Sequence, residues 1–462
     1  MNTVSDKLNF SERMGYAMGD FASNLFFCLF VYFTNFFYTD VYGLKPADLG
    51  MMLMLVRFYD IAVDFIVGAW GDATNSKWGK YRPFLFRYAL PFAVLGSLAF
   101  YTPDTDNYTF KLIYAYVTYA LVMTVYSVVN IPYSALLGVL TPNVAERAKA
   151  ANLRFIFAFA GNLLVQFLTI MLVVLIGGSN KSPFGWHMTA TIYAVVAAGL
   201  FIYTFFFTKE RVAPPVGQHS NLGKDFKMLF QNTPWIILFF IGICNLGFMS
   251  VRNGVIYYYF DRVVNMDPFV LMPGVEFELA TFYFATGTIS AIGALLTGSY
   301  LSKRFGKKML YTVAMGVTAI LTALSYWADP SNIAVMFSFQ VVINFAAAYT
   351  ASTVWAMYAD TADFSEWKTG RRATGLFFSA SSAAQKLGWS IGGGLTGFIM
   401  AAYGYSGQLT EVTPEQANGL NLLMSFIPAG LAALATILML FYTLDDDKMA
   451  VIEGELKARR KE

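Results

Sequence analysis

Long apolar segments separated by short polar ones run along the whole chain. Twelve of them approach or exceed the roughly 20 residues that a helix needs to cross a bilayer. We predict membrane-spanning helices at 14–39, 47–71, 83–102, 110–139, 150–176, 188–208, 234–260, 279–301, 309–328, 333–358, 374–402 and 419–443. A polar segment containing Pro214 and Pro215 divides them into two sets of six. We therefore expect an all-α membrane protein with an amino-terminal bundle at 1–208, a linker at 209–233 and a second bundle with a tail at 234–462.

Basic residues are distributed unevenly between the predicted loops. Most of the 32 lysines and arginines fall in alternate loops and at the termini, whereas the intervening loops hold only Lys45, Lys111, Lys181 and Arg262. Because Lys and Arg concentrate on the cytoplasmic side of membrane proteins, we expect both termini in the cytoplasm. The polar amino terminus shows no cleavable signal peptide, so the first span should direct insertion into the plasma membrane.

The composition supports this class and argues against others. Hydrophobic residues make up 57% of the chain and charged residues only 13%, unlike a soluble domain. The net charge of +3 follows from the loop asymmetry and does not indicate a nucleic-acid partner. Cys28, Cys244, His187 and His219 form no ligand cluster along the sequence. We expect a monomer without a cofactor, and no pattern of an enzyme active site is present.

Three charged residues interrupt the second predicted span. Arg57, Asp60 and Asp64 have i, i+3, i+7 spacing, which places them on one helix face. Carboxylates inside a membrane normally mark a water-filled path or an ion site. Two of them one turn apart cannot both be charged cheaply without a bound cation or proton. The pattern predicts cation-coupled transport, and pairing with Arg57 to brace the helix is the alternative.

The loop after the second span of each half carries a basic, glycine-containing turn. The sequence is GDATNSKWGKYRP at 71–83 and SKRFGKK at 302–308. Matching turns at equivalent positions suggest a duplication of a six-helix unit, as in transporters built from two parallel halves.

Several longer fragments carry a family resemblance. They are GYAMGDFASN, YTDVYGL, RFYDIAVD, WGKYRPF, VNIPYSALLG, ERAKAANLR, ADTADFSEWKTGRRATGL and AQKLG. In this order the chain resembles the glycoside, pentoside and hexuronide cation symporters, the melibiose permease group of the major facilitator superfamily, over nearly its whole length. The resemblance implies twelve helices in two bundles, a sugar site between them, and alternating access driven by Na⁺, H⁺ or Li⁺.

The resemblance also assigns the cation site. It places Asp60 and Asp64 on cation-binding positions and Ser127 on a neighbouring contributor. The amide residue that precedes the second aspartate in the motif is Val63 here, which offers no ligand oxygen. Na⁺ requires several oxygen ligands, whereas a proton needs one carboxylate. We therefore favour H⁺, with Na⁺ at Asp60 and Asp64 as the alternative.

Polar pairs on the first and fourth spans suit a sugar, whose hydroxyls need both donors and acceptors. Asp20 and Asn24 share one helix face, as do Tyr126 and Asn130. The resemblance maps Asp20 onto the essential sugar-binding acid and Arg154 onto a sugar-contacting arginine that could bridge to Asp20. By position alone, Arg154 could equally be a cytoplasm-facing topology charge.

The second half offers fewer candidates. Lys386 lies within the eleventh span and should face the cavity, and Trp355 in the tenth span could stack on a sugar ring. Arg252 in the seventh span could recognise an acidic sugar. We favour instead its pairing with Asp261 or Glu276.

Three positions differ from the melibiose permease pattern. Asn130 replaces an aspartate, and Ser134 and Ala351 replace tryptophans, which argues against an α-galactoside. A glycoside, pentoside or oligosaccharide is expected, and a uronide or an uncoupled carrier is the alternative.

Charged loop residues predict a gate. They are Asp72, Lys80, Arg82, Arg147, Asp363 and Arg371. We expect ion pairs among them to close the cytoplasmic side in one state and break in the other. Solvated loops are the alternative, since isolated surface pairs contribute little.

Overall fold

Helices dominate the part of the chain that the computed structural model describes, namely residues 7–141, 144–211, 229–264, 269–272, 275–370, 374–405 and 412–459. The helices are α1 Phe10–Phe36, α2 Pro46–Ala73, α3 Arg82–Arg87, α4 Ala89–Ala99, α5 Tyr108–Leu140, α6 Val144–Gly177, α7 Pro183–Phe207, α8 Thr233–Tyr259, α9 Leu279–Phe305, α10 Lys307–Leu324, α11 Ile333–Thr369, α12 Thr374–Ala402, α13 Pro414–Met424, α14 Phe426–Leu440 and α15 Asp446–Arg459. Each predicted span overlaps at least one of them. Within the described residues, nine helical segments are long and apolar enough to cross a membrane.

Two short strands accompany the helices. β1 Phe269–Met272 pairs antiparallel with β2 Val275–Phe277. This small hairpin lies where the sequence predicts a loop between the seventh and eighth spans. Pro273 and Gly274, which separate the strands in the sequence, are turn-forming residues and explain its position.

Side chains next to the helix ends fix where several helices begin. Asn107, Asn232 and Asn332 precede α5, α8 and α11, and each accepts a hydrogen bond from the backbone N–H three residues later. Such caps satisfy backbone donors that have no partner inside the helix. The ends of these helices are therefore determined locally by the sequence.

Two of the predicted spans are each divided into two helices. Tyr88 separates α3 from α4, and Ser425 separates α13 from α14. A proline, Pro91 or Pro428, follows each break by three residues. Proline has no N–H to donate to the carbonyl four residues earlier, which accounts for both interruptions.

The chain forms two compact units. Unit 1 comprises Met1–Gly217, Met266–Phe282 and Tyr405–Thr410, and unit 2 comprises Gln218–Asn265, Tyr283–Gly404 and Glu411–Glu462. The change at 217–218 falls inside the predicted linker, most of which lies outside the described residues. The division at 209–233 stays a prediction.

The same packing pattern occurs in both units. In unit 1, α1 packs on α6 and α7, and α4 packs on α7. In unit 2, α8 packs on α12 and α14, and α10 packs on α14. The first helix of each unit also ends in a π-helical turn, Phe37–Val41 or Phe260–Val264. These parallels agree with the duplication suggested by the basic loops.

Candidate functional site

An ion pair joins α1 to α6 in unit 1. The Nε of Arg154 lies 3.1 Å from Oδ1 of Asp20, and both side chains are largely buried. The bridge that the family resemblance suggested is thus present in the geometry. Each charge stabilises the other in the buried site, because either one alone would be costly inside the bundle.

Two tyrosines that sequence reasoning missed support this pair. The rings of Tyr16 and Tyr133 stack with centroids 4.8 Å apart, and the Arg154 guanidinium lies 5.3 Å from the Tyr133 ring centre. Arg154 Nη1 also donates to the Tyr16 hydroxyl over 3.4 Å. A Cβ at Gly19 would collide with the Tyr133 ring. Tyr16 and Gly19 lie in the fragment GYAMGD, and Tyr133 lies in NIPY. Because Tyr16 also lies four residues before Asp20, the sequence pattern could have identified it as a neighbour of that acid.

The predicted amides lie in the same region of unit 1. Asn24 Nδ2 donates to the backbone carbonyl of Asp20 over 2.9 Å, within its own helix. Asn130 on α5 accepts a hydrogen bond from Ser23 over 3.3 Å, which ties α5 to the face of α1 next to Asp20. Amide groups therefore adjoin the ion pair from two helices.

The predicted cation group centres on Asp60. Ser127 on α5 donates to Asp60 Oδ1 over 2.9 Å, and Arg57 Nη1 lies 3.5 Å from Asp60 Oδ2. Only 2% of the Asp60 surface is exposed. Asp64 lies one turn further along α2 and is partly buried. The Ser127 contact agrees with the predicted ligand set, and the Arg57 contact agrees with the bracing alternative, so the geometry contains both.

Helix α5 links the two groups. Ser127 bonds directly to Asp60, and Asn130, three residues later, accepts from Ser23 on α1. Tyr126, the neighbour of Ser127, is partly buried, and its ring lies 6.5 Å from the Phe92 ring between centroids. Residues of one helix therefore adjoin the predicted sugar group and the predicted cation group.

Val63 lies beside the cation group in a small apolar cluster. It is buried and packs with Val67, Phe84 and Val128. Val128 directly follows Ser127 in α5, so the position that lacks an oxygen is filled by hydrocarbon packing. A polar replacement there would displace apolar contacts as well as supply a ligand.

The candidates in unit 2 are arranged differently. Trp355 is 39% exposed and lines a cavity between helices of that unit. Lys386 is partly buried on α12. Arg252 is buried and donates to the Tyr283 hydroxyl over 3.1 Å, whereas Asp261 pairs with Arg262 at 2.9 Å. The described partner of Arg252 is therefore the phenol of Tyr283. The predicted pairing of Arg252 with Glu276 stays untested, because the Glu276 side chain lies outside the described residues.

The basic loop of unit 1 wraps around a carboxylate that sequence reasoning missed. Glu210, three residues beyond α7, accepts from the backbone N–H groups of Lys80, Tyr81 and Arg82 over 2.8, 2.8 and 3.0 Å. Gly79 adopts a positive φ of 105°, which a side chain would disfavour. The Arg82 guanidinium donates to the carbonyl of Phe205 at the end of α7 over 2.6 Å. The loop thus fastens the end of α7.

Unit 2 repeats this arrangement. Asp446 Oδ2 accepts from the Lys307 N–H over 2.8 Å, and Gly306 has a positive φ of 82°. Lys308 Nζ donates to the carbonyls of Leu440 and Tyr442 at the end of α14. Both basic turns therefore hold the end of the last long helix of their own unit.

The predicted gate residues are only partly described. Arg371 lies outside the described residues, as do the side chains of Asp72 and Arg147. Lys80 and Arg82 make the contacts given above, and Asp363 is partly buried on α11. In unit 2, Lys307 forms ion pairs with Asp360 and, at 3.4 Å, with Asp446. The ion pairing proposed for the gate stays a prediction.

Another charged pair lies at the start of α6. Glu146 pairs with Lys149 at 2.8 Å. Its hydrogen bond from Lys149 lowers the pKa of the Glu146 carboxyl below the usual range. This pair adjoins Arg147, one of the predicted gate residues, and its part in a gate stays a prediction.

We expect Glu210→Gln to lower the apparent melting temperature of the purified protein by several degrees. Hydrogen bonds to a charged acceptor contribute about 1.5–3 kcal/mol each, and glutamine offers one neutral acceptor where the carboxylate serves three donors. Thermal unfolding in detergent, followed by tryptophan fluorescence, measures the change. Asp446→Asn is the comparison variant in unit 2, since Asp446 accepts from one backbone N–H and pairs with the Lys307 ammonium at 3.4 Å, and it should have the smaller effect. Equal melting temperatures for Glu210→Gln and the unmodified protein would contradict the role given to Glu210.

The helices, the buried charges and the two similar units define an α-helical membrane transporter. The family model described as MFS/sugar transport protein matches residues 15–446. The inner membrane symporter YicJ of Escherichia coli (strain K12) is 33% identical over 458 residues, which are 98% of this chain and 96% of that protein. The isoprimeverose transporter of Lactiplantibacillus pentosus is 33% identical over 440 residues, which are 94% of this chain and 89% of that protein.

A solved structure gives the same fold. The crystal structure of D-xylose-proton symporter matches with a TM-score of 0.68 at 14% identity, covering 94% of this chain and 98% of that one. The chain belongs to the MFS/sugar transport protein family, within its glycoside, pentoside and hexuronide cation symporters. The resemblance found in the sequence is confirmed. The protein is a multi-pass inner-membrane transporter and not an enzyme.

Proposed function

We propose that this protein is a secondary active symporter that moves a glycoside, pentoside or oligosaccharide together with a cation. The observation that carries the proposal is that one helix, α5, contacts two buried charged groups in unit 1. One is the Asp20 and Arg154 pair, and the other is Asp60 with Ser127 and Arg57. On α5, Ser127 bonds to Asp60, and the Tyr133 ring centre lies 5.3 Å from the Arg154 guanidinium. Binding at one group can therefore alter the energy of binding at the other, which is what coupling requires.

The charges on α2 support coupling to one monovalent cation. Arg57 contributes +1 and Asp60 and Asp64 contribute −1 each when ionised, so the three carry −1 in total. Adding H⁺ or Na⁺ brings this total to zero, which lowers the cost of the group inside a membrane. Because Arg57 can balance only one carboxylate, bracing and cation binding are compatible roles.

The sugar assignment rests on the chemistry of the first group. A carboxylate accepts and a guanidinium donates hydrogen bonds, so together they can satisfy neighbouring hydroxyls of one ring. Tyr16 and Tyr133 are fully buried and stacked on each other, so they position this pair and do not themselves cover the sugar. The names of the relatives, an isoprimeverose transporter and a putative glycoside/cation symporter, support the same class of substrate.

We further propose that twelve helical segments span the membrane with both termini in the cytoplasm, and that a monomer works by alternating access. Nine of the twelve segments satisfy the length and hydropathy needed. Of the other three, α2 carries more charge than such a span usually does, as a functional helix can, and the span at 83–102 is divided into two short helices. Labelling of single cysteines at Ser5 and Asp104 with an impermeant reagent tests the orientation, since only the second should react from outside intact cells.

We expect uptake to be driven mainly by a pH gradient, with little stimulation by Na⁺. Val63 supplies hydrocarbon where an amide oxygen could ligate Na⁺, which prefers several oxygen ligands. Val63→Asn should then increase the Na⁺ dependence of uptake into proteoliposomes.

Val67→Asn is the matched control for that variant. Val67 lies one turn away in the same apolar cluster, so both changes bury an amide at similar cost. Only Val63→Asn should raise the response to Na⁺. Strong Na⁺-driven uptake by the unmodified protein at constant pH, with no response to a proton gradient, would overturn the preference for H⁺.

A further inference from the structure

Unit 2 carries an open cavity on its surface, where the end of α9 meets the starts of α10 and α15. Its volume is about 810 Å³. Lys307 and Lys308 line it from α10, and three consecutive aspartates line it at 445–447. Two ammonium groups and three carboxylates give this lining a charge of −1 when all are ionised. The cavity therefore offers ionic groups of both signs.

Lys308 keeps a positive charge that no carboxylate neutralises among the described residues. Lys307 forms ion pairs with Asp360 and, at 3.4 Å, with Asp446. Lys308 Nζ donates instead to two backbone carbonyls at the end of α14. An ammonium has three N–H groups, so one of them remains for an anion in the cavity.

The acidic side of the cavity is also incompletely paired. Asp446 is the partner of Lys307, whereas the described hydrogen bond to the Asp445 carboxylate comes from the backbone N–H of Lys448 over 2.9 Å. Asp447 is exposed and has no ion pair or hydrogen bond among the contacts that the structure describes. The cavity thus has a cation on one wall and, on another, two carboxylates without a described basic partner.

Apolar surface adjoins the cavity on two helices. Met309 and Val313 line it from α10, and Ile320 continues the same face two turns beyond; all three are exposed. On α14, which packs on α10, Ile437 and Leu440 are exposed as well. In a membrane transporter such faces lie against the acyl chains of lipids. The charged cavity, at the end of both faces, therefore lies at the level of the phospholipid headgroups.

We propose that this cavity binds the headgroup of phosphatidylethanolamine, a phospholipid that carries a phosphate and a primary ammonium. Lys308 donates to the phosphate, Asp445 and Asp447 accept from the ammonium, and the acyl chains lie along α10 and α14. Charge-assisted hydrogen bonds of this kind are about twice as strong as neutral ones. The proposal goes beyond the transport function and does not depend on the identity of the cargo.

The lining should distinguish this lipid from two other phospholipids. Phosphatidylcholine has the same charges, but its quaternary ammonium has no N–H to donate to a carboxylate. Phosphatidylglycerol is anionic and has no ammonium, so it would add repulsion to a lining that is already negative. The headgroup amine, and not the phosphate alone, should therefore determine the affinity.

The test uses the full-length protein, purified in detergent and freed of lipid, and native mass spectrometry to count bound lipids. The probes share identical acyl chains and are phosphatidylethanolamine, its N-methyl and N,N-dimethyl derivatives, phosphatidylcholine and phosphatidylglycerol. We expect affinity to fall with each methyl group, and to be at least tenfold lower for phosphatidylcholine and for phosphatidylglycerol than for phosphatidylethanolamine.

Variants separate the two ends of the headgroup. Asp445→Asn combined with Asp447→Asn should reduce the preference for phosphatidylethanolamine over phosphatidylcholine to less than twofold. Lys308→Met should instead weaken the binding of both lipids by a similar factor, because both carry the phosphate. Asp329→Asn is the matched control, since Asp329 is an exposed acid just beyond the opposite end of α10, and it should keep the full preference.

The preference is a ratio measured on one protein sample, so a misfolded fraction does not alter it. Melting temperatures in detergent show whether Lys308→Met also loosens the end of α14. Equal affinity for phosphatidylethanolamine and phosphatidylcholine, or tighter binding of phosphatidylglycerol, would overturn the inference. A full preference retained by the double asparagine variant would equally exclude this cavity as the site. None of these outcomes bears on sugar transport, which is measured separately.

Discussion

Asp60→Asn should abolish accumulation of the sugar against its gradient. The change removes the charge that a cation neutralises but keeps nearly the same volume, and the amide oxygen can still accept from Ser127. Arg57 would then lie beside a neutral group instead of a carboxylate 3.5 Å away. Uptake into proteoliposomes with an imposed proton or Na⁺ gradient measures accumulation, and counterflow without a gradient measures carrier function alone.

We expect counterflow to survive better than accumulation, because the sugar group of unit 1 is chemically intact in the variant. Asp329→Asn is a control for charge removal, since Asp329 lies in the loop between α10 and α11. Ser127→Ala should have an intermediate effect, as it removes one hydrogen bond worth about 1 kcal/mol. Concentrative uptake by Asp60→Asn equal to that of the unmodified protein would remove Asp60 from the coupling site.

Asp20→Asn should weaken sugar affinity by more than a factor of ten. A charge-assisted hydrogen bond contributes about 1.5–3 kcal/mol, and a factor of ten corresponds to about 1.4 kcal/mol. The variant also leaves Arg154 without the carboxylate 3.1 Å away, so the guanidinium loses the partner that orients it. Calorimetric titration of purified protein with the best-binding sugar gives the affinity directly.

Asp48→Asn provides the matched control for that experiment. Asp48 is also an acid of unit 1, but it lies at the start of α2 and accepts a hydrogen bond from the Tyr108 hydroxyl. Its replacement should leave the affinity nearly unchanged, and Tyr16→Phe should give a smaller loss than Asp20→Asn. Unaltered affinity in Asp20→Asn would exclude Asp20 from the sugar site.

The membrane helices could be predicted from the sequence, because the length of each apolar segment determines whether it can form one. The breaks at Tyr88 and Ser425 could have been found as well, since Pro91 and Pro428 follow each by three residues. The charged residues of α2 indicated function, and the same residues set α2 apart from an ordinary membrane span. These features depend on neighbouring residues, which a single sequence displays.

Contacts between distant residues were harder to foresee. Glu210 meets Lys80 only after α3 to α7 have packed, and no local pattern predicts that the acid binds backbone N–H groups. The Asp20 and Arg154 pair was reached through the family resemblance, because either residue alone could have served another role. The cavity beside Trp355 depends on the packing of four helices of unit 2, which no single segment of the sequence displays.

Simultaneous recording of sugar and cation movement tests coupling most directly. Proteoliposomes loaded with a pH-sensitive dye receive the best-binding sugar without any imposed gradient. We expect sugar entry to acidify the lumen in the unmodified protein and to leave its pH unchanged with Asp60→Asn. Sugar entry through the unmodified protein with no movement of H⁺ or Na⁺ would contradict cation-coupled symport.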